Sequence, residues 1–465
     1  MSLSGEKGSS LDAAALAAFR EDFRGVIALP DDPGYDAARA VWNGMVDRYP
    51  ALVVRPTGAA DVISAVRFAR EQELLMAVRS GGHSVGGFST CDGGIVIDLA
   101  GMRGVRVDPD RRLARVNGGA LLQELDHEAQ AFGLACPVGV VGHTGVAGLS
   151  LGGGMGRLQR RYGLTVDNLV SVDLVTADGG LLHVSEEENA DLFWGIRGAG
   201  PNFGVVTSFE FRLHEVGPLV TAGSVAYPVE RATEMVGVFR EVFATAPDEA
   251  MLTLGFGIVG PDDPWPELVG QPVLLMGGTH SGSVEDAERD LQPLRGNGAL
   301  ADSIGPKSYL AVQASNDEAL AWGKRFYMKG GFVNELSGDL VEVCTKQAAD
   351  APGGCEVGFW AQGGAVGRVP EEAMAFTGRD ASFWVGAEAF WTDPTQDEAH
   401  VAWGRATMEA LKPFATEGAY VNDVVESGEG VVRGIYGDPK YERLVALKRV
   451  YDPDNVFRLN QNVKP

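Results

Sequence analysis

The chain has 465 residues, 45% of them hydrophobic and 22% charged, which is material for two or three packed units rather than one core, and no low-complexity tract suggests disorder. Its formal net charge of −24 leaves no basic surface to displace phosphate counterions, so neither nucleic acid nor an anionic membrane is an expected partner. Met1–Ser10 lacks the basic start and apolar middle of a secretion signal, no apolar run reaches the roughly 18 to 20 residues of a membrane span, and the four cysteines have neither metal-ligand nor disulfide-framework spacing; a cytoplasmic, metal-free protein is expected.

From Leu52 onward, short β-branched runs alternate with helical stretches. Residues 52–54 read as a strand, 59–72 as a helix with Val62, Val66 and Ala69 at helical spacing, and 75–78 and 95–99 as further strands. A second unit of the same α+β kind follows: strand 114–117, helix 120–132, a glycine-rich run, and strands 169–176, 181–184 and 205–212. Asp178-Gly179 between two apolar runs predicts a tight hairpin. The character changes at Glu215-Val216-Gly217-Pro218. Beyond it, strands such as 252–258 and 273–277 alternate with acidic-faced helices, which predicts an antiparallel sheet covered by helices on one face, the other free to wall a pocket. The expected division is 1–215, 216–415 and 416–465. The last part holds a short helix, 444–450, and three amides, Asn460, Gln461 and Asn462; it reads either as a polar terminus or as a tail that returns to bond a ligand.

There is no GxGxxG after a strand and no GxxxxGK[ST], so NAD(P) and ATP are not expected. Yet Gly81-Gly82 and the run Gly142-His143-Thr144-Gly145-Val146-Ala147-Gly148-Leu149-Ser150-Leu151-Gly152-Gly153-Gly154-Met155-Gly156 offer many backbone amides that an anion such as a diphosphate could approach. Glycines serve equally in turns and bulges. What favours a ligand is that each cluster sits beside a histidine, His83 or His143, and follows a strand-like segment, so the two loops could face each other across one molecule.

At these residues the chain resembles the berberine bridge enzyme-like flavoproteins of the vanillyl-alcohol oxidase and p-cresol methylhydroxylase superfamily. The resemblance is carried by Arg79-Ser80-Gly81-Gly82-His83-Ser84, by the glycine-rich run, by residues 162–168, 191–198 and 202–207, by Tyr420-Val421-Asn422, and by residues 451–462. It implies an α+β chain: a two-subdomain FAD-binding domain of the p-cresol methylhydroxylase type, a substrate domain with an antiparallel sheet, and a tail that rejoins the FAD domain. It also implies FAD contacts from Arg79 to Ser84, Cys136, Gly142 to Gly145, Gly148, Gly152 to Gly154, Gly156, Val206, Tyr420, Asn422, Asn460 and Asn462, with His83 bonded to the flavin 8α-methyl. A histidine that only bonds the ring edge is the plainer alternative. Relatives often bond a second residue, a cysteine, to flavin C6. Cys136 in Cys136-Pro137-Val138-Gly139 is the candidate, although its valine stands one position early. Thiolate addition needs an exposed, electropositive setting; otherwise Cys136 is a small buried residue.

Hydride transfer to flavin N5 from a carbon bearing OH or NH is eased by a base that takes the heteroatom proton. The resemblance points to Tyr420, which needs a cationic neighbour to ionise at neutral pH; Lys329 and Arg368 are the expected supports. Tyr327 and Lys329 alternate onto one face of a strand that in relatives lies above the flavin, and Gln362 is expected to face substrate. Trp360 and Trp391 suit either a pocket wall or core packing. Two departures from the family pattern bear on specificity: Phe376-Thr377-Gly378-Arg379 lacks an imidazole that many relatives carry, and Asp423 follows Asn422 where an aromatic is common. The function expected is oxidation of an alcohol group of a small sugar or natural product, with oxygen or another acceptor reoxidising the flavin, in a monomer or homodimer. Oxidative cyclisation or desaturation of an alkaloid- or polyketide-like metabolite, and non-catalytic binding of a flavin or deazaflavin, stay open beside it.

Overall fold

The computed structural model describes residues 11–260, 265–296 and 298–465; the polar start Met1–Ser10 lies outside them. The chain forms three principal sheets in succession. The first joins β1 (Val26–Ala28), β2 (Leu52–Arg55), β3 (Met76–Arg79) and β4 (Ile95–Asp98) in the order β1-β2-β4-β3. β4 runs parallel to both β2 and β3, as the intervening helix Ala59–Glu71 allows by acting as a crossover. Val62, Val66 and Ala69 of that helix pack on Leu52, Val54, Ile95 and Ile97.

The second sheet is antiparallel. Its strands are β5 (Val105–Asp108) and β6 (Leu113–Asn117), then, after the two-residue β7 (Leu134–Ala135), β8 (Leu169–Val175), β9 (Leu181–Ser185) and β10 (Val205–Arg212), ordered β5-β6-β10-β8-β9. Asp178-Gly179 makes the β8–β9 hairpin, with Val175 opposite Leu181. β11 (His214–Glu215) pairs with β7.

The third sheet holds eight strands: β12 (Leu219–Pro228), β13 (Ala250–Ile258), β14 (Pro272–His280), β15 (Ala301–Asp302), β16 (Gly305–Ser308), β17 (Arg325–Val333), β18 (Cys355–Ala361) and β19 (Phe383–Trp391). The order is β15-β12-β14-β13-β18-β19-β17, with β16 paired to β12. The helices Ala232–Thr245, Gly338–Ala349 and Asp397–Leu411 cover one face, where Val357, Phe359, Val385, Ala387, Ala389 and Trp391 are buried. Strand alternation sends the intervening residues to the other face in three cross-strand rows: Phe332, Trp384, Trp360 and Thr253; Gly330, Gly386, Gly358 and Gly255; Met328, Glu388, Glu356 and Gly257. This second face meets the earlier part of the chain, since Phe332 and Trp384 share a core with Met155, Leu164, Val166 and Tyr420.

The C-terminal helix is longer than its final turns suggest. It spans Glu429–Tyr451, interrupted at Gly437 with Pro439 just beyond, and those residues mask its periodicity in the sequence. Its end is fastened by Lys448, whose ammonium, wholly buried, donates to Asp452 at 2.7 Å and to the carbonyls of Asn202 at 2.8 Å and Phe457 at 2.9 Å. Lys448→Ala strands the Asp452 carboxylate without its cation, a change that costs about 3–5 kcal/mol when a buried pair loses one member. A markedly lower urea midpoint is expected; an unchanged midpoint would show that the tail is held by something else.

Candidate active site

The loop after β3 is anchored before it reaches any ligand. Arg79 is buried, with its guanidinium bonded to Asp98 at 2.9 Å, to the Ala40 carbonyl at 2.9 Å and to the Ala38 carbonyl, so three of its five donors are spent on orienting the loop. Ser84 Oγ accepts from the Phe88 amide at 3.0 Å. At the turn itself, a Cβ on Gly81 would collide with the backbone of Gly145, and one on Gly145 with the backbone of Gly81 and the side chain of Ser80. The two glycine clusters therefore touch, backbone against backbone.

That approach brings the two histidines together. His83 Nε2 lies 2.7 Å from His143 Nδ1, and His143 Nε2 lies 3.3 Å from the carbonyl oxygen of Asp317. A carbonyl can only accept, so His143 carries its proton on Nε2, its Nδ1 accepts, and His83 donates from Nε2. The Nδ1 of His83 is then left with its lone pair. Trp42 stacks on the His83 ring, centroids 4.5 Å apart. Burial and the neighbouring His143 pull His83 down to about 3, so the imidazole is neutral at any pH of interest.

Cys136 does not meet the conditions set for a second link. It is fully buried in the core formed with Leu122, Leu125 and Phe209, and burial, with Asp126 adding to it, pushes its thiol well above the ordinary value. An apolar cavity wall disfavours the thiolate. The glycine-rich run is likewise shared out. Gly142 N donates to Asp317 at 2.6 Å, the Thr144 carbonyl accepts from Leu122, and Gly148 faces open space. Gly152, Gly153, Gly154 and Gly156 leave room for Asn422, Phe376, Thr165 and the Val138 carbonyl respectively, so protein rather than an anion fills the space beside them. Val206 is a core residue of β10.

Tyr420 is brought to that run. Its hydroxyl oxygen accepts from Gly154 N at 3.1 Å, Met155 N at 3.3 Å and Asn422 Nδ2 at 2.8 Å. Neither expected cation reaches it: Lys329 is paired with Glu426 at 2.6 Å and Arg368 with Asp248 at 2.6 Å. Burial, and then Asp423, push the phenol up to about 12 against the three donors. Tyr327 is not part of this constellation. Its register with Ala389 puts it on the helix-covered face, buried, with its hydroxyl 3.3 Å from Arg405 Nε, and Lys329 alternates to the same face. Gln362 continues the pocket-side row of β18 and is fully buried, with neither amide atom partnered.

Two acids that the sequence reading did not assign stand on the pocket side. Glu388 projects from β19, and Asp423 accepts from Trp384 Nε1 at 2.7 Å. A lone acid within the apolar run 383–391 was the available signal for Glu388. The absent family imidazole also has a physical counterpart: Gly378 has φ +90°, and a Cβ there would strike the Phe332 ring.

Buried polar atoms rarely lack a partner, yet Ser80 Oγ, Ser150 Oγ, Asn460 Oδ1 and Asn462 Oδ1 have none. They lie on the three segments, loop, glycine-rich run and tail, that a large polar cofactor such as FAD would join, and they fit it. Fold and site together define a flavin-binding oxidoreductase. Residues 50–185 match the FAD binding domain family and residues 419–464 the family described as berberine and berberine like. (R)-6-hydroxynicotine oxidase of Paenarthrobacter nicotinovorans is 34% identical, the alignment covering 95% of this chain and 97% of that protein. The crystal structure of 6-hydroxy-D-nicotine oxidase from Arthrobacter nicotinovorans superposes with a TM-score of 0.84 at 31% identity, over 95% of this chain and 98% of the other. A berberine bridge enzyme-like protein of Physcomitrella patens has the same fold, with a TM-score of 0.85 at 24% identity over 97% and 99% of the two chains. The chain belongs to the berberine bridge enzyme-like family of FAD-linked oxidoreductases.

Gly145→Ala is expected to yield folded protein that has lost most of its flavin, measured as the ratio of flavin to protein absorbance. Full flavin content in that variant would separate the loop contact from cofactor binding.

Proposed function

We propose that this protein holds FAD covalently through His83 and oxidises a small molecule at a carbon bearing a hydroxyl or amine, with oxygen or another acceptor closing the cycle. FAD, when bound, supplies the hydride acceptor. The observation that carries the reading is the hydrogen-bond relay from the Asp317 carbonyl through His143 to His83, which leaves His83 Nδ1 unprotonated beside the paired glycine loops. That atom is the one suited to form the link. Ser80, Ser150, Asn460 and Asn462 would complete their hydrogen bonds on the cofactor, while Arg79 and the glycines from 152 to 156 shape the cradle from behind. Cys136 stays a thiol and packs the core.

Tyr420 is the group proposed to meet the substrate proton. Three N–H donors fix its oxygen and stabilise it as negative charge develops, an effect of the kind that contributes about 10²–10⁴-fold in positioned proton transfer. The substrate is bounded on the other side by the pocket face of the eight-stranded sheet, to which Gln362 belongs.

Acid precipitation tests the link. The yellow colour is expected to stay with the pellet in the unaltered protein and in Cys136→Ala, and to move to the supernatant in His83→Ala; colour released from the unaltered protein would overturn covalent attachment. For Tyr420→Phe, anaerobic flavin bleaching by an accepted substrate is expected to slow by about 10²-fold or more, and bleaching at the original rate would remove Tyr420 from proton transfer.

A further inference from the structure

A stacked histidine elsewhere in the chain shows what His83 lacks. Trp391 stacks on His400 with centroids 4.4 Å apart, and there both ring nitrogens are bonded, Nδ1 to the Gln396 carbonyl at 2.9 Å and Nε2 to the Gly353 carbonyl at 3.1 Å. Two bonds fix the plane of a ring. His83 has one, from Nε2 to His143. An imidazole fixed at a single nitrogen can pivot about that contact, so its other nitrogen sweeps an arc. Where Nδ1 points is therefore decided by what lies against the faces and edges of the ring.

Two indoles lie there. Trp42 stacks on the imidazole, their planes 17° apart and their centroids separated by 4.5 Å. Trp322 meets the ring edge to face, at 83° with centroids 6.5 Å apart, and it also covers the turn, since a Cβ on Gly82 would lie 3.3 Å from its ring. Trp42 belongs to the segment before β2, and its amide donates to the Gly82 carbonyl at 3.2 Å. Its other hydrogen bonds reach the segment that enters β17 of the third sheet: Nε1 donates to the Leu320 carbonyl at 2.6 Å, and the Trp42 carbonyl accepts from Gly323 at 3.0 Å. Beside it, Asn43 bonds Phe326 in both directions, donating to its carbonyl at 2.8 Å and accepting from its amide at 3.2 Å. Gly44 N donates to the Lys324 carbonyl at 2.9 Å, and a Cβ on Gly44 would stand 2.3 Å from the Gly323 carbonyl oxygen, so the two main chains run together only because it has none. The same stretch supplies Asp317, whose carbonyl faces His143 and whose carboxylate accepts from Gly142, and Trp322 itself. One segment thus sets the hydrogen-bond partner, the face and the edge of the His83 ring.

We propose that Trp42 and Trp322 are positioning residues for the covalent link, holding the His83 ring in the plane that aims Nδ1 at the cofactor, and that they do so when the segment 317–326 is seated against residues 42–44. This rests on the covalent reading of His83 and adds to it the residues that let the link form. In that step the Nδ1 lone pair makes the new bond to the 8α carbon, one methyl proton departs with its electron pair kept on the flavin, and the imidazole gives up its Nε2 proton, which His143 Nδ1 is placed to accept. Oxygen or another acceptor then removes the two electrons. Neither tryptophan exchanges a proton or an electron. What they supply is direction, and misplacing a reacting group by about 1 Å costs about 10²-fold in rate.

The test measures, in purified flavin-loaded protein, the fraction of total flavin that stays with an acid-precipitated pellet. For Trp42→Leu and Trp322→Ala that fraction is expected to fall about ten-fold or more, with total flavin kept, because the cradle itself is untouched. Trp42→Phe keeps a stacking ring but not the indole N–H, and is expected to restore retention. Trp322 is 48% exposed, so its truncation opens no core and carries the test if Trp42→Leu does not fold. Full retention in either folded variant would overturn the proposal. So would a parallel loss of total flavin, which marks a merely structural role, or a Trp42→Phe protein that retains no more than Trp42→Leu. Flavin released from the unaltered protein would instead overturn the link itself, so the two failures are told apart.

Discussion

The contact on which the site depends is the meeting of two main chains at Gly81 and Gly145. The loops come from different sheets, and they touch because neither glycine carries a Cβ that would hold the other off. From that approach follow the 2.7 Å separation of His83 and His143 and the reach of His143 to the Asp317 carbonyl. A methyl group at either glycine would widen the gap between the rings past hydrogen-bonding distance. The tautomer of the His83 imidazole is thereby set, through His143, by the Asp317 carbonyl oxygen, which can do nothing but accept.

Around that contact, buried charge is treated in two ways. Arg79 with Asp98, Arg379 with Asp167 and Lys448 with Asp452 are pairs whose donors are also taken up by carbonyls, and each fastens a segment distant in sequence. Satisfied in this way, buried ions hold a fold in register. Glu388 and Asp423 are set among aromatic and glycine residues with no cation supplied. Among the described residues, Asp126 is likewise a buried acid without a cation, so closed electrostatic joints and uncompensated acids stand in the same chain.

Much of the framework was legible in the sequence because it is periodic. The strands and helices predicted for the first two sheets fall within a residue or two of the patterns that announce them, β1 and β5 not being among them, and the Asp178-Gly179 hairpin is where turn chemistry puts it. The glycine loops and His83 were legible through the family pattern, but their proximity was not, since a run of glycines looks the same whether it borders a phosphate or, as Gly152 does, the amide of Asn422. Alternation showed that Tyr327 and Lys329 share a face; which face depends on the register with β19, some sixty residues later. Cys136 sits in an apolar core that no local pattern reports. Glu388 and Asp423 were illegible as a pair because only the fold brings their charges near each other.

The tail carries a consequence for how the protein is made. Val463 donates its amide to Asn202, and Lys448 ties the last helix to the same residue, so the tail takes its place only once the turn before β10 has formed. A chain broken off short of residue 463 loses one of the bonds that hold the tail in place.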